Sequence, residues 1–243
     1  MLDNSALLGA RLLDLWEQAG RASAERREDL LLAFGQDANL DLPQGLGERN
    51  KALLALRTRL LGPHIALQAD CPHCASELEF ELDCPALLAQ LGEPEPDIPQ
   101  CLEVDSYRLQ FRRPCIDDVR ASAKQDAAEF SRLLLQRCIL DYQAPDDSPM
   151  PEALSTALAQ RLEQLDPAAQ LSLALQCPDC ARPWSAPLAP AALLWQELRA
   201  EAERLLAEVA ALAQAYGWSE EHILAMSPQR RGHYLQLSSG VLA

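Results

Sequence analysis

Positive charge is scarce in this chain: 21 Lys and Arg stand against 36 Asp and Glu over 243 residues, a net charge of −15. A nucleic-acid partner needs a basic face to neutralise phosphates, and none is clustered here. The small groups Arg108/Arg112/Arg113 and Arg230/Arg231 read as solvated faces. Long apolar runs are also missing. No stretch of about 18 apolar residues exists, so no segment reads as a membrane-spanning helix. The opening MLDNSALLGARLLDLWEQ lacks a basic n-region and reads as an amphipathic helix, not a signal peptide. These absences set the expectation of a cytoplasmic protein without membrane contact. Catalytic signatures are lacking too: there is no nucleophile elbow, P-loop, dinucleotide fingerprint or HExxH motif. The four histidines (His64, His73, His222, His233) are scattered. The expectation is a non-enzyme with no small-molecule substrate. What the chain does have is a 49% apolar content, enough for a sizeable core.

Eight cysteines divide into two kinds. Cys84, Cys101, Cys115 and Cys138 stand alone and read as small buried hydrophobes. The others repeat one spacing, Cys71-Pro-His-Cys74 and Cys177-Pro-Asp-Cys180. Two residues between thiolates let one tight turn aim both sulfurs at a single ion. Two such turns supply the four ligands of a tetrahedral structural zinc site. The flanks agree. Ile65–Asp70 and Glu77–Leu82 alternate with period 2, and Leu171–Gln176 and Trp184–Leu188 bracket the second turn. Overlaid at an offset of 106, Leu67 matches Leu173, both cysteine pairs coincide, Leu82 matches Leu188, and Leu87-Leu88 match Leu193-Leu194. Two hairpins sharing one metal make a zinc ribbon, here split by 102 residues between Cys74 and Cys177. Loop-closure cost rises only logarithmically with length, so the insertion is no obstacle.

Three rival chemistries use the same cysteines. A thiol–disulfide enzyme places its dithiol at a helix N-terminus, which lowers the thiol pKa; here a Glu-rich alternating strand follows CPHC. An iron–sulfur cluster also takes four cysteines, but paired CxxC turns on hairpins favour zinc. Catalytic zinc keeps a position open to water, which four thiolates do not leave. His73, inside the first turn, reads as an exposed residue and not as a substitute ligand. The expected metal ligands are Cys71, Cys74, Cys177 and Cys180.

The pattern elsewhere predicts a mainly α chain with a small β zinc ribbon, an α+β class, in four parts. Residues 1–64 form an N-terminal helical region: a helix capped by Ser5, a second over 24–34 ended by Gly35, and a third over 48–61 ended by Gly62-Pro63. Residues 65–92 and 166–190 are the two halves of the ribbon. Residues 93–165 are an inserted α+β subdomain, entered through the proline-rich GEPEPDIPQ. It holds one or two strands over 102–112, a helix opened by Asp117-Asp118, another over 127–140, a loop over 144–151 and a helix over 152–165. Paired acids at 117/118 and 146/147 read as helix-start and loop carboxylates, not catalysts. Residues 191–243 form a C-terminal helical region. There Leu198, Ala202, Leu205, Val209, Leu212 and Tyr216 step by 4, 3, 4, 3, 4, a stripe about 28 Å long at about 1.5 Å per residue. Such a stripe needs a partner, and the chain's own N-terminal helices are expected to supply it. Ser219 caps a short helix to 226, without a capping box because His222 sits where Glu or Gln is needed. A last helix runs from Ser227-Pro228 to 237.

The segment Gly47-Glu-Arg-Asn-Lys-Ala-Leu-Leu-Ala-Leu-Arg57, the two CPxC turns and the tail around Ala215-Tyr-Gly-Trp-Ser219 resemble the T4-type baseplate (hub) assembly proteins of contractile-tailed phages and tail-like injection systems. Related ribbons often carry glycine after the second cysteine, where this chain has Ala75 and Ala181. The resemblance implies no enzymatic site, only the four cysteines as metal ligands. It implies an assembly factor or minor component whose partners are baseplate or tail proteins, found in the cytoplasm or in a tail-like particle.

Overall fold

The computed structural model describes residues 4–36, 41–96, 98–123, 126–145 and 148–238. The acids at 146 and 147 lie outside these. The chain is α+β: among the described residues helices dominate three small antiparallel sheets. Among the described residues no helix is long and apolar enough to cross a membrane. The chain divides into two compact units, residues 1–36 with 191–243, and residues 37–190.

The first unit is helical: α1 (Asn4–Gly20), α2 (Ala24–Gly35), α8 (Pro190–Tyr216), α9 (Glu220–Leu224) and α10 (Pro228–Ser238). Helix α1 begins one residue before the expected cap Ser5. The stripe on α8 is buried from Leu194 through Leu198, Ala202, Leu205, Val209 and Leu212. Its partners lie in the same chain, since a Cβ built on Gly9 of α1 would rest 3.7 Å from both Leu205 and Leu224. Arg27 stacks over the Trp195 ring at 4.8 Å and donates to the Ala19 and Ala22 carbonyls, closing the end of α1. Tyr216 departs from the stripe. It is exposed, stacks on Trp218 at 4.5 Å and donates to the Tyr234 carbonyl. Gly217 takes φ 69, the left-handed turn that ends α8. Arg231, expected on a solvated face, is instead 3% exposed and paired with Glu208 of α8 at 3.0 Å.

The second unit holds α3 (Leu46–Leu61), the hairpin β1 (His64–Asp70) and β2 (Glu77–Asp83), and α4 (Cys84–Gln90). Then come β3 (Gln100–Val104), β4 (Tyr107–Phe111), α5 (Ile116–Ser122), α6 (Ala127–Cys138), β5 (Ile139–Gln143) and α7 (Glu152–Leu165). The hairpin β6 (Leu171–Gln176) and β7 (Pro183–Leu188) closes it. Strands β3-β4-β5 form a sheet whose Leu109 and Phe111 pack on Cys138 of α6 and on Leu154, Leu158, Leu162 and Leu165 of α7. Helix α6 stops at Cys138 instead of reaching 140, and the freed residues become β5, with a register shift opposite Gln110/Phe111.

The repeat extends beyond the hairpins. The offset of 106 carries the start of α3 onto the start of α7, Leu46 to Glu152, and the start of α4 onto that of α8, Cys84 to Pro190. Helix, hairpin and helix recur as a block.

Candidate metal centre

Each hairpin is built by alternation. In β1 and β2, Leu67, Leu78, Phe80 and Leu82 turn inward, while Glu77, Glu79, Glu81 and Asp83 face water. The registers are full, Asp70 opposite Glu77 and Gln176 opposite Pro183, so each CPxC turn caps a straight ladder. The turns are copies. The Cys71 amide donates to the Ser76 carbonyl at 2.9 Å and the Ala75 amide to the Cys71 carbonyl at 2.8 Å; the equivalent bonds at Cys177 and Ala181 are 3.1 and 2.9 Å. This fold-back requires a left-handed residue after the second cysteine. Ala75 and Ala181 adopt it, at φ 58 and 56, although glycine does so more cheaply.

The two turns meet. All four Sγ atoms lie within 4.8 Å of one another. Contacts cross between the halves, Cys71 to Cys180 at 3.7 Å and Cys74 to Cys177 at 3.6 Å. A disulfide would need about 2.05 Å. A tetrahedron of sulfurs about 2.3 Å from one central ion has edges of about 3.8 Å. The crossed pairs match that edge. The first cysteine of each turn is buried, Cys71 at 2% and Cys177 at 1% exposure, while Cys74 and Cys180 lie nearer the surface. Ser76 also donates to Asp179, joining the turns side by side. His73 is exposed and stands outside the cluster.

Protonation follows from the crowding. Burial works against ionising Cys71, but the amides of His73 and Cys74 and the thiols of Cys74 and Cys177 outweigh it and bring the thiol to about 7. At Cys74 the Ser76 amide favours the thiolate, yet Cys177, burial, Cys71 and Cys180 together push it up to about 12. Cys180 is raised as well: the Arg182 amide opposes the shift, while burial and the Cys177 and Cys71 thiols drive it. Acids sharing one small volume cannot all ionise unless a cation joins them. The residues present therefore fit a metal ion held by four thiolates. CPHC runs into β2 and opens no helix, so the helix dipole that activates a redox dithiol is missing there.

The remaining cysteines split. Cys84 and Cys138 are buried as expected, and burial pushes the Cys138 thiol up to about 12. Cys101 is exposed and Cys115 half-buried, against expectation. Cys115 caps α5, its thiol donating to Asp118 at 3.2 Å. Asp118 is a helix-start acid as expected, in the first turn of α5, but a buried one: it is 1% exposed, and Arg112 and Arg137 reach it at 2.6 and 3.1 Å. Burial alone would raise its pKa, but the Arg112 guanidinium and the Cys115 amide and thiol hold it well below the usual carboxylate range. Arg112 thus leaves the solvated basic group to which the sequence assigned it.

A second tie between the halves has no signal in local pattern. Asp166, at the end of α7, is 3% exposed and accepts the Gly47 amide at 2.9 Å, capping α3 from 119 residues away. Asn50 donates to the Ala168 and Ala169 carbonyls, and Arg49 is 2% exposed with one bond to the Pro43 carbonyl. The segment 47–50 thus holds the chain just upstream of β6. A glycine in the first turn of a helix, where propensity disfavours it, is the clue that could have marked this approach.

A family model described as T4 bacteriophage base plate protein matches residues 33–183. The span includes all four clustered cysteines and the inserted subdomain at 93–165; the Tyr-Gly-Trp-Ser tail lies beyond it. Comparison with curated proteins and with solved structures gives no match. Since the match takes in more than half of its residues, the chain belongs to the T4 bacteriophage base plate protein family.

Proposed function

We propose that this protein is a non-enzymatic assembly factor or minor component of a contractile-tail baseplate, and that zinc bound by Cys71, Cys74, Cys177 and Cys180 sets its working shape. The observation that carries the metal assignment is the crossed sulfur spacing of 3.7 and 3.6 Å. Four thiolates around one ion suit zinc, whose filled d shell needs no other geometry. Bound there, the ion supplies no open position; it clamps the two repeat halves together. The partners are baseplate or tail proteins of the same particle. The acidic outer edge of β2 supports an electrostatic contribution to such contacts. Cys177→Ser is the test. Co-expressed with the neighbouring baseplate and tail genes, the natural chain retains zinc and a baseplate protein through purification, and the variant loses both. A variant that keeps its partner without metal overturns the clamp.

A thiol–disulfide enzyme is the second reading, favoured by the Cys71 thiol near 7. It requires reversible oxidation of Cys71 and Cys74 in the metal-free chain together with reductase activity. Masked thiols and bound zinc exclude it.

A further inference from the structure

Beyond the metal, the second unit carries a cleft of about 520 Å³ between α5, α6 and α7, within the range of about 300–1,000 Å³ typical of binding pockets. Val119, Phe130, Leu134 and Ala159 form its walls, all half-buried and so within reach of an incoming group. Among the described residues the charged side chains that line it are both carboxylates, Glu163 at the exposed rim and Asp166 within. Asp166 spends one oxygen on the Gly47 amide; its Oδ1 is buried with no hydrogen-bond partner among the described residues. Leaving a buried acceptor unmet is costly, and a donor arriving with a ligand would recover part of that cost. We propose that this cleft is a docking groove for a partner's amphipathic segment, which inserts apolar side chains between α6 and α7 and sets a Lys or Arg against Glu163 and Asp166.

The occupant follows from complementarity. Apolar walls ask for apolar anchors, two carboxylates with no lining cation among the described residues ask for positive charge, and the half-open cleft suits a helix laid along it. An acidic segment would meet like charge and leave Asp166 unanswered. The proposal rests on the interaction reading above, yet its test separates the two.

The probe is a short synthetic amphipathic helix of Leu, Ala and Lys, titrated against the metal-loaded full chain by fluorescence anisotropy, beside its twin with Glu in place of Lys. Ala159→Trp fills the groove without changing charge. Leu134→Gln removes an apolar wall without adding volume, so a folding failure in one variant leaves the other to decide. The Lys peptide binds the natural chain, each variant weakens it by at least about tenfold, and the Glu peptide does not bind. Equal affinity for natural chain and variants, or equal binding of both peptides, overturns the groove. The same variants are co-expressed with the baseplate genes. A baseplate protein that stays on Ala159→Trp and Leu134→Gln overturns the groove and leaves the assembly role standing. Peptide binding that depends on the groove, in a chain that retains no baseplate protein, upholds the groove and overturns the assembly role.

Discussion

Gly47→Ala is the perturbation whose size follows most directly from the geometry. A Cβ on residue 47 would stand 1.9 Å from Asp166 Oδ1 and 2.7 Å from its Cγ, where ordinary contact begins at 3.4 Å. The Asp166 carboxylate must swing away, or α3 or the end of α7 must move by more than an ångström, and the amide-to-carboxylate bond is lost. A hydrogen bond to a charged group contributes about 1.5–3 kcal/mol, and overpacking a filled site costs about 1–3 kcal/mol. Alanine returns about 1 kcal/mol in helix propensity. The net is a loss of about 1.5–5 kcal/mol, or about 3–20 °C in Tm for a chain of this size. Thermal and guanidinium unfolding of the metal-loaded chain measure it. The cycle is completed by Asp166→Ala, in whose background Gly47→Ala becomes neutral or stabilising because the clash is gone. An unchanged or raised Tm for Gly47→Ala alone would refute the claim that Asp166 caps α3.

Other consequences are as direct. Ala75→Gly and Ala181→Gly each relieve a left-handed alanine and raise stability by about 0.5–1 kcal/mol without altering metal content; guanidinium midpoints check this. Asp118→Asn leaves Arg112 and Arg137 without their acid and costs about 2–3 kcal/mol, discounted because both guanidinium groups are partly solvated. Because the folded pKa of Asp118 lies below the unfolded value, its contribution is full above the ordinary carboxylate pKa of about 4 and fades as pH falls toward the lower folded value. Acid titration of stability is therefore steeper for the natural chain than for Asp118→Asn. In the metal-free chain, alkylation of Cys71 shows a midpoint near 7; zinc abolishes that titration.

Much of this architecture is written locally. Period-2 alternation around identical CPxC spacings places both hairpins, and the shared offset aligns them. The α8 stripe is equally plain, because Leu198 to Leu212 recur at helical spacing and are buried, with Leu205 facing Gly9 of α1. Strand β5 was hidden, since the stretch from Leu133 to Leu140 contains no Gly or Pro to mark where α6 stops. The charged pairs were hidden for another reason. Arg231 with Glu208 and Arg137 with Asp118 join residues 23 and 19 apart, and neither partner differs locally from a solvated residue. The tie from the Gly47 amide to Asp166, 119 residues away, leaves only a glycine in a first helical turn as its trace. The four cysteines escape that limit because their spacing itself encodes convergence on one centre.

The central claim is that two remote cysteine couples hold one zinc ion. Metal analysis and X-ray absorption at the zinc edge, on protein purified without added metal, address it directly. The account predicts about one zinc per chain, surrounded by four sulfurs at about 2.3 Å and no nitrogen or oxygen. A metal-free chain with intact fold, or an ion bound by fewer than four sulfurs, would contradict it.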